Sequence, residues 1–175
     1  GTPRLLGIVW PFIAVVLFQA LLGCVSLYML SAVRSYVGGE SLWSKGQKDA
    51  IYFLHLYSDT QDPVYFRKFQ QAISVPQGGH TLRLAMDQSP PDVVSAREGI
   101  LQGGNSEQDV SSIIWFYRYF RNVSYMKTAI EKWTQGDAYL IQLDELAQEM
   151  HRALLEGQAS EADVKRWEDN IFAIN

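Results

Sequence analysis

The run from Leu5 to Val33 holds 29 residues without a formal charge and is bounded by Arg4 and Arg34. No other stretch constrains the fold as tightly. Built as a helix it is ~43 Å long, more than the ~30 Å hydrocarbon core of a bilayer. It can therefore span with tilt or project beyond one face. Its polar side chains are few: Gln19, Ser26 and Ser31, with Tyr28 tolerable in such a setting. Pro11 falls in the first third, where a proline kinks a helix or marks its start. A cleavable signal peptide has a shorter apolar region and a small-x-small site. Leu21-Leu22-Gly23-Cys24 fits the end of a lipoprotein signal, but a polar tether should follow, and VSLYMLSAV follows instead. The expectation is an uncleaved transmembrane anchor over residues 1–34, in contact with membrane lipid through residues 5–33. Arg4 favours an inside N-terminus and Arg34 opposes it. The large polar domain that follows favours N-terminus in, domain out.

Beyond the anchor, residues 35–175 carry 13 Lys and Arg against 19 Asp and Glu, a net of −6. An acidic domain without a basic cluster is a poor nucleic-acid binder, so no nucleic acid is expected as a partner. It should also be repelled by anionic lipid beyond the immediate membrane edge. The single cysteine, Cys24, lies in the apolar run. Disulfides, cysteine zinc sites and a cysteine nucleophile are thus excluded from the soluble part. The chain opens on Gly1 rather than Met and stops at Asn175 inside a helical pattern. Both ends are expected to be cuts from a longer protein.

The rest reads as helices. Leu42, Trp43, Ala50, Leu54 and Tyr57 share one broad face, with Gly46 admitting a close neighbour. That helix should end near Asp59 to Asp62. Asp62-Pro63 is a restart, with Asp as N-cap and Pro at the first helical position. Phe66, Phe69 and Ile73 give a short helix to about Val75, which Pro76 and Gly78-Gly79 should break. His80 to Asp87 makes another, with Leu82, Ala85 and Met86 inward. A turn at Ser89-Pro90-Pro91-Asp92 precedes a helix from Val93 to Gln102, closed by Gly103-Gly104. Ser106 to Asp109 has the form of a capping box opening an aromatic helix through Phe120. Asn122-Val123-Ser124 is formally a glycosylation sequon and also a plain turn. Met126, Ala129, Trp133, Gly136, Leu140, Leu143, Ala147, Met150 and Leu154 then follow 3/4 spacing, the mark of a bundle seam. A last helix carries Val164, Trp167, Ile171 and Ile174 on one stripe. The predicted fold class is all-α: a transmembrane helix continuing into an antiparallel helical bundle over residues 35–175, with short helices in the middle. An up-down-up-down path returns the chain towards the membrane, so a second span is expected after Asn175.

The segment Tyr36 to Ala50, YVGGESLWSKGQKDA, resembles the opening of an extracytoplasmic sensor region in proteobacterial signalling proteins. Similar segments follow at Ala96-Arg97-Glu98-Gly99 with Gly103-Gly104-Asn105, at Asp109 through Ile114-Trp115-Phe116, and at Ala129-Ile130 to Trp133 and Asp137. The resemblance covers roughly residues 34–155. It implies a periplasmic sensory module of an inner-membrane protein, lying between two membrane helices and ahead of a cytoplasmic output domain. Such outputs are often diguanylate cyclase domains that make cyclic-di-GMP, and sometimes phosphodiesterase or histidine kinase modules. They usually work in pairs, which implies a homodimer. Any enzymatic activity would then lie outside this segment.

The residues themselves offer no catalytic constellation and no cofactor motif. His55, His80 and His151 are scattered without metal-ligand spacing, and no P-loop or nucleophile elbow is present. Asp144-Glu145 falls on an outer helical face, where it should simply be solvated. The candidate ligand-binding set mixes polar groups with aromatics: Trp43, Gln47, Lys48, Arg97, Asp109, Trp115, Trp133 and Asp137. Asp137, beside the seam, should point inward, and a buried acid needs a partner that Lys48 or Arg97 could supply. Two arrangements follow. One is a pocket in which Arg97 or Lys48 holds a small anionic ligand between Trp walls. The other, commoner for such residues, is an interhelical salt bridge among core tryptophans. A periplasmic protein partner, met through an exposed apolar patch, is the alternative to a small ligand.

Overall fold

The structure, a computed structural model, describes residues 2–174, apart from the side chains of residues 2–6, 8 and 174. Arg4, the start of the apolar run and the end of the last stripe at Ile174 therefore lie outside what is described. Among the described residues all regular structure is helical: α1 (Thr2–Thr60), α2 (Pro63–Asp87), α3 (Val93–Gln102), α4 (Glu107–Phe120), α5 (Ser124–Leu155) and α6 (Glu161–Ile174).

α1 is a single helix of 59 residues, ~88 Å at the usual rise. It passes through Pro11 and Gly38-Gly39 without ending. An 18-residue window near its N-terminus is long and apolar enough to cross a membrane, and none of that window is buried. Leu17, Leu27 and Leu30 stand more than half exposed, whereas Ala32 is fully buried. Packing against the bundle thus begins before the apolar run ends: the Tyr28 ring already meets Trp115 of α4 edge-on at 5.0 Å.

α2 departs from the expected pair of short helices. It runs unbroken from Pro63 to Asp87, through Pro76 and both glycines. The physical reason is tertiary. Pro76 has no N–H to offer the Ala72 carbonyl, and that carbonyl faces Gly46 of α1, where a Cβ would lie 2.9 Å from its oxygen. Gly78 is likewise a point of contact, since a Cβ there would come 2.4 Å from the Gly99 carbonyl of α3. These residues let backbones touch rather than letting the helix stop. Gly46 does admit the close neighbour that its position predicts.

Elsewhere local chemistry sets the boundaries as expected. The Asp62 carboxylate accepts from the Val64 N–H at 2.8 Å. Asp92 caps α3 by accepting from Val94 and Ser95, and Ser106 caps α4 by accepting from Gln108. Gly104, at φ 81°, takes the left-handed turn after α3.

Buried side chains gather in two regions. The far core, away from the apolar half of α1, joins α1, α2, α5 and α6 through Leu54, Tyr57, Phe69, Leu143, Met150 and Trp167. The near core joins α2, α3, α4 and α5 through Ala85, Met86, Ala96, Tyr117 and Met126, with Tyr36 of α1 and Trp133 packed on it. Ile100, Val110 and Ile113 extend it between α3 and α4.

Candidate ligand-binding site

A cavity of about 70 Å³ lies where α1 enters the near core, walled by Tyr36, Trp43, Leu82, Arg83, Tyr117 and Trp133 among others. Each wall residue is there for a local reason. Tyr36 and Trp43 sit seven residues apart on α1 and so share a face. The Trp43 indole fits between α2 and α5 because both neighbours are glycine. A Cβ at Gly79 would lie 3.1 Å from its ring and one at Gly136 3.2 Å. Arg83 projects from α2 across the Trp133 ring, its guanidinium carbon 5.9 Å from the centroid.

Arg83 is the organising charge. Its residue is only 6% exposed and Asp137 only 7%. One guanidinium nitrogen donates to Asp137 Oδ1. His80 Nδ1 lies 2.8 Å from the other carboxylate oxygen, without the alignment of a hydrogen bond. Such a pair is tolerated in a core only when both partners remain, since removing one strands the other.

The wall has a second property. Tyr36 Oη, Trp43 Nε1, Arg83 Nε and Tyr117 Oη are all buried, and none has a hydrogen-bond partner within the protein. All four residues line the same cavity. An unpaired buried donor costs about 1–3 kcal/mol, so these wall residues carry four polar atoms that the fold itself leaves unsatisfied. Burial pushes the Tyr36 hydroxyl well above the ordinary tyrosine value, with Glu40 adding to the shift. Burial raises Tyr117 as well, and Asp87 adds to it. Both hydroxyls are therefore protonated at neutral pH.

The residues singled out from the sequence divide. Trp43 and Trp133 line the cavity. Asp137 stands behind it, holding Arg83. Asp109 acts one shell out, accepting from the Ser35 hydroxyl at 2.6 Å, and Ser35 itself lines the wall. Trp115 lies lower, against Tyr28. Gln47 is half-buried and Lys48 exposed on α1, both away from the wall. Arg97 is on the surface in a two-bond pair with Glu107, at 3.0 and 2.7 Å. The expectation that Lys48 or Arg97 would neutralise Asp137 is thus corrected: Arg83 does so, with His80 beside it. Arg83, Tyr36 and Tyr117 were missing from the sequence-derived set. Arg83 gave a faint signal, lying one residue after Leu82 and two before Ala85 on a face that must be largely inward.

Comparison with protein-family models, with curated proteins and with solved structures finds no match to this chain.

Proposed function

We propose that this chain is a membrane-anchored sensory input module, in which the cavity beside Tyr36 and Trp43 takes a small ligand and α1 carries the response through the bilayer. The observation that carries the reading is that four residues lining one cavity each hold a buried polar atom without a partner in the protein. That cavity opens where the apolar run of α1 becomes part of the bundle. Binding energy released there bears directly on the helix that must move. A ligand shifts an equilibrium between two packings only by its differential affinity for them. Closing on acceptor atoms is such a difference, because it satisfies donors that are otherwise stranded.

The donors also shape the ligand. Arg83 is already balanced by Asp137, and Glu40 on the wall adds a negative charge. A neutral molecule with carbonyl or ether oxygens and an apolar body suits this balance. Resemblance of the segments from Tyr36 onward supports an extracytoplasmic sensor of a bacterial inner-membrane signalling protein. It would act as a homodimer and feed a cytoplasmic output such as a diguanylate cyclase or a histidine kinase.

The test is a thermal-shift and tryptophan-fluorescence screen of the full chain in nanodiscs, against small neutral carbonyl compounds and small monocarboxylates. A ligand that raises the melting temperature of the wild type and not of Leu82→Phe, which fills the cavity, supports the reading. Arg97→Ala should keep the response. A complete screen without a hit, with Leu82→Phe as stable as wild type, would turn the reading towards a protein partner.

A further inference from the structure

We propose that the α4–α5 end of the bundle is a lipid-facing surface that rests on the headgroup layer beside the anchor. The inference depends on α1 being membrane-anchored, but not on the cavity or its ligand.

Position comes first. Ser35 bonds Asp109 while Tyr28 touches Trp115, so α4 runs antiparallel to α1 and its C-terminal end points back along the apolar run. A bilayer core needs about 20 helical residues. Placing Leu5 to Cys24 there leaves Tyr28 roughly 6 Å beyond the hydrocarbon edge, within the headgroup layer. Trp115 is then at the same level, and the turn after Phe120 lies no further from the membrane.

Composition agrees with that position. Tyr119 is 63% exposed, Val123 51% and Tyr125 83%, and Tyr119 continues the aromatic patch by packing on Trp115. Tyr and Trp are the side chains that favour the bilayer interface, with an apolar ring and a wet polar tip. The charge is inverted as well. Residues 110–130 hold Arg118, Arg121 and Lys127 and no acid, while residues 35–175 as a whole stand at −6. Arg121 is engaged by Asp87 at 2.5 Å. Arg118 and Lys127 are exposed and complement lipid phosphates. An acid-free, basic and aromatic stretch of an acidic domain therefore sits where the span places the membrane surface.

The test uses the full chain in nanodiscs containing anionic lipid, with Cys24→Ser as background. Single spin labels replace Leu17, Tyr125 or Tyr139, all of them exposed side chains. Collision rates with oxygen and with a water-soluble nickel complex read the depth of each. The expected result is a Leu17 label in hydrocarbon and a Tyr125 label that loses most of the nickel collisions the Tyr139 label keeps. Equal nickel access at Tyr125 and Tyr139, with Leu17 still in hydrocarbon, would overturn the surface and leave the anchor intact. Dipolar broadening between Tyr125 labels, removed by dilution with unlabelled chain, would assign the patch to a second copy and also overturn it. A Leu17 label in water would defeat the anchor and this surface together.

Discussion

The two cores of the bundle differ in aromatic content, the far core burying Tyr57, Phe66, Phe69 and Trp167 and the near core Tyr117, and they treat their polar atoms differently. In the far core, Tyr57 and His151 meet at 2.7 Å between hydroxyl and Nδ1, and the His151 ring stacks on Phe66 at 3.8 Å. Its unpartnered polar atoms, on His55, Ser58 and Trp167, belong to residues that do not line the cavity beside Tyr36. By contrast Tyr36, Arg83 and Tyr117, together with Trp43, which also packs against the far core, each hold such an atom and line one cavity. The only deeply buried ion pair among the described residues, Arg83 with Asp137, stands behind that wall. The far core is organised to persist in one packing. The near core leaves part of its hydrogen-bonding capacity unused, the reserve on which the proposed response would draw.

The sharpest way to break the contrast is Arg83→Ala. It leaves Asp137 buried without its partner, and a loss of about 3–5 kcal/mol is expected in urea titrations. A loss under about 1 kcal/mol would mean that Asp137 reaches water and that the pair does not organise the near core. Overpacking should then separate the two regions. Leu54→Phe, in the filled far core, should cost about 1–3 kcal/mol, whereas Leu82→Phe, at the cavity, should stay within about 1 kcal/mol of wild type. Equal penalties would show that the cavity offers no usable room. Replacing Gly38 and Gly39 together with alanine should raise helix stability by up to about 1 kcal/mol per site, less whatever the Asn105 amide gives up at 3.2 Å from the new Gly39 Cβ. Folding should survive while the response proposed above changes, and an unaltered dose response would argue that α1 is not the moving part.

Smaller effects refine the picture. Arg97→Ala should shift stability by no more than about 0.5 kcal/mol, because its pair with Glu107 is solvent-exposed. Titration should act from both ends. Hydrogen bonds from the Ser95 side chain and backbone hold the Asp92 carboxyl below its ordinary 3.8. Its contribution is present above that value and disappears as pH falls through the lower folded one. Burial holds Tyr36 and Tyr117 above their ordinary 10.0, so their contribution is complete below pH 10.0 and declines as pH rises beyond it. Melting curves of Tyr36→Phe and Tyr117→Phe should flatten the alkaline limb, and an unchanged limb would place those hydroxyls in water.

Local chemistry made much of the fold legible. Asp62-Pro63, Asp92 and Gly103-Gly104 mark helix ends by the orphan N–H and C=O groups they must satisfy, and the bounds of α3 follow residue for residue. The α5 seam is periodic enough to announce itself, and Leu140, Leu143, Ala147 and Met150 are buried as that period requires. What was not legible is contact between distant segments. Pro76 and Gly78-Gly79 carry a breaker's composition, yet their purpose lies in Gly46 and Gly99 on other helices. The site was half legible for the same reason. Trp43 and Trp133 stand out by type, but Arg83 looks like any solvated cation until Asp137, 54 residues away, is brought beside it.

The single span of α1 also orders events in time. Its first half can leave the ribosome and enter a bilayer while the rest of the chain does not yet exist. Its second half cannot. The far core closes only when Tyr57 finds His151, 94 residues later, and when Trp167 and Ile171 of the last helix arrive. Until then Leu54, Tyr57 and their neighbours stay uncovered, because non-local contacts repay the closure of a long loop only at the end. In that order α1 is made before the helices that cover it, and α6 is needed to complete the far core. A truncation that removes α6 should therefore expose the far core while leaving the insertion of α1 untouched.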